Sequence, residues 1–401
     1  MSIFVSLVGL GLLIFVHELG HFAVARAVGL RPRRFYVGFP PAIVKTTRNG
    51  IEYGLGAIPL GGFVKIPGMH RPAPVDVDHY FAPAANEAPE LAGPLERLRR
   101  AFADADIDTG RAVLAELGER RGELSLSPAA TRTFDKGLVE LSDAVGPDAY
   151  WRAQTWKRLA AIAAGPLANV VLAIVLFTVL LMQDTYRIGI ELAVGSDGAA
   201  TTEIRRVVDD SPAEAAGLRA GDRIATVNGR RVDVSGLLER IQGSEGRPLD
   251  LGVRRAGQTV TVEDVRAEGE GGRSLPGAVW RGVEITGLIT KEIGAALGRL
   301  VTGDGRDEIS SPVGIVQGSS EAADRSTNDF LWVLGLISLS LALLNLLPLL
   351  PLDGGHIAFS LIEGARRRTV RREVYERVSA VGIVFVVLLF VIGLSNDIGR
   401  L

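Results

Sequence analysis

Four long segments almost without charged residues dominate this chain of 401 residues. They span residues 2–28, 159–182, 330–352 and 378–394, and the last is the shortest. About 20 apolar residues in a helix cross the hydrocarbon core of a bilayer. The sequence therefore predicts a polytopic α-helical membrane protein with four transmembrane helices.

Basic residues indicate how these helices are oriented. Arginines follow the first segment, Lys157 and Arg158 precede the second, and an Arg-rich loop separates the third from the fourth. Because cytoplasmic loops carry an excess of Lys and Arg, both chain ends and residues 183–329 are expected outside. Ala25-Arg26-Ala27 resembles a signal-peptide cleavage site, but no basic residue precedes the apolar stretch, which favours a retained helix.

The first apolar segment contains His17-Glu18-Leu19-Gly20-His21, a His-Glu-x-x-His motif. In a helix both imidazoles lie on one face, one turn apart, where they can hold one metal ion beside Glu18 as general base. Two histidines at this spacing can also occur by chance. Ionisable groups within a membrane segment are costly and usually functional, which favours zinc-hydrolase chemistry.

The third metal ligand must come from elsewhere, and the chain has no cysteine. Asp353 follows the third apolar segment at the depth expected for His17 and His21, and catalytic zinc commonly takes two histidines and one carboxylate. Asp353 is therefore the predicted third ligand, although it could instead be a residue of a helix-breaking turn. His356 is the alternative ligand, and His70 and His79 are expected to be solvated.

Residues 35–66 change to the alternation and turn chemistry of β-structure. Asn49-Gly50 is a strong hairpin signal, and residues 54–65 are apolar but rich in Gly and Pro. We expect a re-entrant β-hairpin beside the metal, whose free edge could receive an extended substrate by strand addition. An ordinary cytoplasmic hairpin is the alternative.

Two further regions lie between the apolar segments. Residues 83–150 show two helical stripes of apolar residues, and Ser127-Pro128 is expected to begin the second helix. Residues 210–229 resemble part of a PDZ domain, a β-rich α+β fold that binds peptides by strand addition. The division expected from the sequence is 1–82 first helix and hairpin, 83–150 cytoplasmic helical insert, 151–187 second helix, 188–270 extracytoplasmic PDZ domain, 271–329 extracytoplasmic linker with an interfacial segment, and 330–401 third and fourth helices.

Together these pieces resemble the site-2 protease family of intramembrane metalloproteases, of the bacterial RseP type. The motifs that carry the resemblance, in the family's order, are His17 to His21, Ile58 to Lys65, Ala164 to Asn169, the PDZ-like region, and Asn345 to His356. Two departures are that one PDZ domain is identifiable instead of two in tandem, and that the insert has no evident counterpart.

The resemblance implies one Zn²⁺ per chain bound by His17, His21 and Asp353, with Glu18 activating water. It implies that Asn345 holds the substrate backbone and that Gly61, Gly62 and Phe63 belong to a loop that receives the unwound substrate. The implied substrate is the transmembrane segment of a single-span protein, such as an anti-sigma factor, and the PDZ domain would bind a peptide or substrate tail. The implied location is the bacterial inner membrane, with the active site near the cytoplasmic side.

Two other functions fit parts of the sequence. A catalytically inactive scaffold would present the PDZ domain from the membrane, but Glu18 and three candidate ligands argue against it. A metal transporter would use the same ligands, but repeated halves and additional spans are not evident. The net charge of −2 gives no indication of nucleic-acid binding.

Overall fold

A computed structural model describes residues 2–195, 200–302, 309–370 and 372–400. Met1 and Leu401, the chain ends that the topology expectation concerns, lie outside them. The chain divides into two compact units. Unit 1 contains residues 1–6, 173–292 and 315–337, and unit 2 contains residues 7–172, 293–314 and 338–401.

The described residues form thirteen α-helices and ten strands. The helices are α1 (Ser2–Ala27), α2 (Pro74–Glu87), α3 (Ala92–Ala103), α4 (Ile107–Arg120), α5 (Pro128–Val145), α6 (Thr155–Leu181), α7 (Pro212–Ala215), α8 (Val234–Gly243), α9 (Leu275–Thr302), α10 (Pro312–Arg325), α11 (Thr327–Asn345), α12 (Asp353–Arg366) and α13 (Arg372–Arg400). The strands are β1 (Arg34–Arg48), β2 (Ile51–Lys65), β3 (Thr185–Arg187), β4 (Ile190–Val194), β5 (Ala200–Val207), β6 (Arg223–Val227), β7 (Arg230–Arg231), β8 (Pro248–Arg255), β9 (Gln258–Arg266) and β10 (Glu268–Glu270).

Four helices within the described residues are long and apolar enough to cross a membrane: α1, α6, α11 and α13. They correspond to the four segments expected from the sequence, but two of the helices differ clearly from them in extent. Helix α11 ends at Asn345 instead of 352, because Pro348 and Pro351 follow and proline cannot continue a helix. Helix α13 extends beyond 378–394 at both ends, since its polar flanks also adopt helical conformation.

The predicted hairpin turn lies between β1 and β2, and both turn residues have positive φ, 52° at Asn49 and 76° at Gly50. Beyond the turn the strands are longer than the pattern indicated, at 15 residues each. The first residues of β1 pair with two separate parts of β2, since Phe35 lies opposite both Tyr53 and Val64. The start of β1 is therefore flanked by two parts of β2, and residues 61–65, hereafter the edge segment, form one side of the sheet.

The insert contains four helices, α2 to α5, instead of the two whose stripes were evident. They share an apolar core that includes Phe81, Leu98, Leu117 and Phe134. Ser127 accepts a hydrogen bond from the Ala130 amide at 3.3 Å, which confirms the predicted helix start. The boundary expected at 82/83 falls inside α2, so the helical insert begins at Pro74.

In unit 1, strands β4, β5, β6, β8 and β9 follow one another in a sheet, and β7 pairs with β6. Their inward side chains and those of α7 and α8 form a second apolar core that includes Ile204, Leu237 and Val253. The predicted turn at Asn228-Gly229 joins β6 to β7. The described part of the region 271–329, which was expected to be a linker, is mainly helical, because it contains α9 and α10.

Candidate metal centre and substrate cavity

His17 and His21 lie one turn apart on α1, with their side chains on one face of the helix. Each residue is only 7% exposed, and the two Nε2 atoms are 3.2 Å apart. The His-Glu-x-x-His motif therefore presents two ring nitrogens to the same buried point.

Asp353, the first residue of α12, reaches this point from a distant part of the chain. Its Oδ2 atom lies 3.2 Å from His17 Nε2 and 3.3 Å from His21 Nε2. A Cβ atom on Gly354 would lie 2.2 Å from the Leu347 carbonyl oxygen, so the tight turn before α12 requires glycine there. Within the part of the chain that the structure describes, these three side chains form the one group able to hold a metal ion, hereafter the donor cluster.

The chemistry of the donor cluster fits zinc. The Nδ1 atom of His21 lies 2.9 Å from the Ala161 carbonyl oxygen, which only accepts, so Nδ1 carries the proton and Nε2 of the neutral ring presents a lone pair. Asp353 Oδ2 is buried and accepts no hydrogen bond. Zinc bonds of about 2.0–2.1 Å at tetrahedral angles separate ligand atoms by about 3.3 Å, which matches the observed spacing.

Helix α6 supports the donor cluster, a contribution that the sequence analysis missed. A Cβ atom on Gly165 would lie 2.3 Å from His21 Nε2, so the ring occupies the space that glycine leaves. The Asn169 Nδ2 atom lies 3.4 Å from His17 Nδ1. With Ala161 they are spaced four residues apart and share one helix face, a signal that is available in the sequence.

A cavity of about 540 Å³ opens beside the donor cluster. The other predicted site residues line it, namely Glu18, Asn345, Gly61, Gly62 and Phe63. A Cβ atom on Gly62 would lie 2.7 Å from the Tyr36 carbonyl oxygen and 3.0 Å from Glu18 Cγ, so the edge segment passes directly against the predicted general base. The structure thus brings all the predicted site residues to one cavity.

The remaining histidines lie outside the donor cluster. His356 lines the same cavity, but Asp353 supplies the third donor atom. His79 is exposed, as expected. The expectation that His70 is solvated was wrong: its ring packs 4.5 Å from that of Tyr375, and burial lowers the pKa of His70 to about 4.

Comparison with known proteins places this site in a family context. The family model described as peptidase family M50 matches residues 5–389. The zinc metalloprotease RasP of Geobacillus kaustophilus is 28% identical, with 100% of this chain and 98% of the relative covered. The regulator of sigma-W protease RasP of Bacillus subtilis is 29% identical, with 98% of this chain and 96% of the relative covered. Both alignments therefore extend across the region of the insert.

Proposed function

Because this chain belongs to peptidase family M50 and is a zinc-dependent site-2 protease, we propose that it cleaves a peptide bond within the transmembrane segment of a single-span membrane protein. His17, His21 and Asp353 would hold one zinc ion, and Glu18 would act as general base. The observation that supports this assignment most strongly is the convergence of three donor atoms within 3.3 Å of one another beside a cavity that Glu18 also lines.

Each residue has a chemical task in this mechanism. Zinc, when bound, lowers the pKa of water and polarises the carbonyl group that is attacked. The Glu18 carboxylate accepts the proton of the attacking water and can donate it to the leaving amine. Asn345 at the end of α11 lines the cavity, where its amide can donate a hydrogen bond to a substrate carbonyl. The small residues Gly61 and Gly62 leave room for a peptide backbone to approach Glu18.

The edge segment explains how a helical substrate could be cut. A transmembrane helix hides its carbonyl groups in its own hydrogen bonds, so the substrate must unwind before attack. An unwound chain needs new backbone partners at membrane depth. We propose that residues 61–65 supply them by strand addition and that the hairpin is re-entrant.

The orientation in the membrane follows from the basic loops. We propose that the protein lies in the bacterial inner membrane, with both ends outside and the donor cluster nearer the cytoplasmic face. The sheet of unit 1 would be an extracytoplasmic PDZ domain that binds a peptide or substrate tail. A sigma-regulating relative supports an anti-sigma-factor-like substrate for this chain.

Cleavage of a single-span model substrate by the purified protein in proteoliposomes tests the proposal. The wild type should cut within the membrane segment, and Glu18→Gln should abolish the cut while zinc content, measured by mass spectrometry, stays near one per chain. Glu239→Gln on α8, an exposed glutamate, is the matched control and should cut normally.

Two results would count against the proposal. Cleavage retained in Glu18→Gln would remove this residue from the chemistry. Cuts confined to the soluble flanks of the substrate, mapped by mass spectrometry of the products, would show a zinc protease that does not act within the membrane.

A further inference from the structure

A second cavity of about 400 Å³ lies beside the first, between the edge segment and helices α2 and α5 of the insert. The two cavities share four wall residues, which are Phe63, Val64, Ile66 and Met69. They therefore follow one another along the end of β2. A strand that pairs with the edge segment at Gly62 and continues for four residues advances about 13 Å, which carries it from the first cavity to the second.

The insert is fixed against this wall by ion pairs. Lys65 Nζ donates to Glu140 Oε1 at 2.7 Å and lies 3.9 Å from Asp143 Oδ2. Arg33 pairs with Asp143 at 2.8 Å and with Asp148 at 3.0 Å. Helix α5 thus contacts the end of β2 and the residue that precedes β1.

Backbone contacts hold the same junction. The amides of Tyr150 and Trp151 donate to the carbonyl oxygens of Pro67 and Gly68 at 2.9 and 3.1 Å. A Cβ atom on Gly68 would lie 2.6 Å from the Ala149 side chain. The second cavity is therefore bounded by closely packed elements and is a built part of the fold.

Among the described residues, the wall of the second cavity carries two carboxylates, Asp76 and Glu140, and two bases, Lys65 and Arg372. Behind the wall, Lys65 also contacts Asp143 and Arg372 also contacts Glu376. Arg33 is shared between Asp143 and Asp148, so these described ion pairs together hold five carboxylates and three bases. His70, also in the wall, adds no positive charge at neutral pH, because its pKa is about 4. With each base already shared between two acids, the wall can accept a further cation, and Glu140 is 32% exposed at its side chain.

We propose that the second cavity binds the cytoplasmic flank of the substrate, with a Lys or Arg side chain beside Glu140. This inference rests on the proposed function and orientation, which place the insert on the cytoplasmic side. The flank emerging there from a single-span protein is the part that the positive-inside rule enriches in Lys and Arg. The insert, which the catalytic mechanism does not use, thereby contributes to substrate selection.

A substrate series tests the site. Single-span substrates carry one Lys, moved one position at a time through an otherwise uncharged cytoplasmic flank, and each is compared with its Lys→Gln partner. In the wild-type protein we expect one or two positions at which Lys lowers KM about three- to fivefold, with kcat little changed, as for a partly exposed ion pair. In Glu140→Gln that preference should disappear, while the Gln side chain keeps an acceptor for Lys65.

Asp135→Asn is the matched control, since Asp135 lies on the same helix and pairs with Arg121 away from the cavity. It should retain the Lys preference. The proposal fails if Lys has no effect at any position, or if the preference is the same in Glu140→Gln and wild type. A fall in kcat with an unchanged Lys preference would also refute it and assign Glu140 to holding β2. If no substrate is cut by the wild type, the proposed function fails first.

Discussion

Two aspartates withdrawn from solvent, one in each unit, have opposite surroundings. Asp222 in unit 1 is 1% exposed at its side chain and pairs with Arg255 at 2.7 Å, while it also accepts a hydrogen bond from the Arg219 amide. Asp353 in unit 2 faces two imidazole nitrogens, and its Oδ2 atom accepts no hydrogen bond. The chain supplies the cation for Asp222, whereas Asp353 faces two imidazole rings with which it would share the proposed zinc ion.

This difference separates a structural acid from a candidate metal ligand. Burying a carboxylate without a cation costs free energy, so buried carboxylates are usually paired with a base or coordinate a metal ion. Asp222 ties the turn before β6 to the end of β8, and its hydrogen bond with Arg255 keeps the pKa of Asp222 below its usual value. Among the described residues no Lys or Arg pairs with Asp353, and the proposed zinc ion would take that place.

The largest effect is expected when Asp353 is replaced by asparagine, and the same replacement at Asp222 is the reference. Asp353→Asn removes a charged ligand, so zinc content should fall to near zero and cleavage by more than about 100-fold, beyond the loss typical for outer-shell partners. Asp222→Asn should keep its zinc. Metal analysis of both purified variants checks this, and a zinc-replete Asp353→Asn would break the comparison.

Gly165→Ala tests whether the donor cluster depends on close helix packing. The added methyl group would occupy the position of the His21 ring, so the ring must turn away. We expect zinc affinity to fall about 10- to 100-fold, as when the surroundings of a ligand are disturbed. Gly11→Ala on α1 is the control, because no heavy atom lies within 4 Å of the added group. Equal zinc affinities, measured by chelator competition, would contradict the packing argument.

Asn169→Leu tests the polar support of His17. Asn169 Oδ1 is buried without a partner, and turning the amide over would let this oxygen accept from His17 Nδ1, leaving Nε2 for the metal. Loss of this contact should weaken zinc binding about 10-fold. Ser338→Ala removes a 2.9 Å hydrogen bond to the Asn169 carbonyl oxygen and leaves the amide in place, so it should bind zinc normally. A deficit of equal size in both variants would indicate a packing defect.

The sequence predicted the parts of this site that depend on local pattern. The i, i+4 spacing placed His17 and His21 on one helix face, and counting depth placed Asp353 at their level, where the structure has it. Charge-free runs gave the four apolar helices. Hydrophobic periodicity shows which face of an element is buried, but it does not show which element covers that face.

Features that depend on the covering element were therefore missed. Gly165 and Asn169 reach the donor cluster because α6 packs on α1, and the ring of His70 is covered in part by Tyr375 of α13. The second pairing of β1 arises because β2 bends back, which no alternation pattern encodes. Helix α9 was not predicted because charged residues interrupt its apolar positions, and the sequence was divided at long uncharged runs.

The smallest expected effect is the pH dependence of stability that Asp222, the structural aspartate of the comparison, gives to unit 1. Because its folded-state pKa lies below the ordinary 3.8, Asp222 contributes its full stabilisation above that value and loses it as the pH falls through the lower folded value. Hydrogen bonds to a charged group contribute about 1.5–3 kcal/mol. Protection of the β5, β6 and β8 amides from hydrogen exchange should therefore decline as the pH falls below 3.8, and Asp222→Asn should show a flatter decline from a lower starting stability. A wild-type decline as flat as that of the variant would mean that Arg255 does not stabilise the ionised carboxylate. Asp222 would then no longer be a structural ion pair with which Asp353 can be compared.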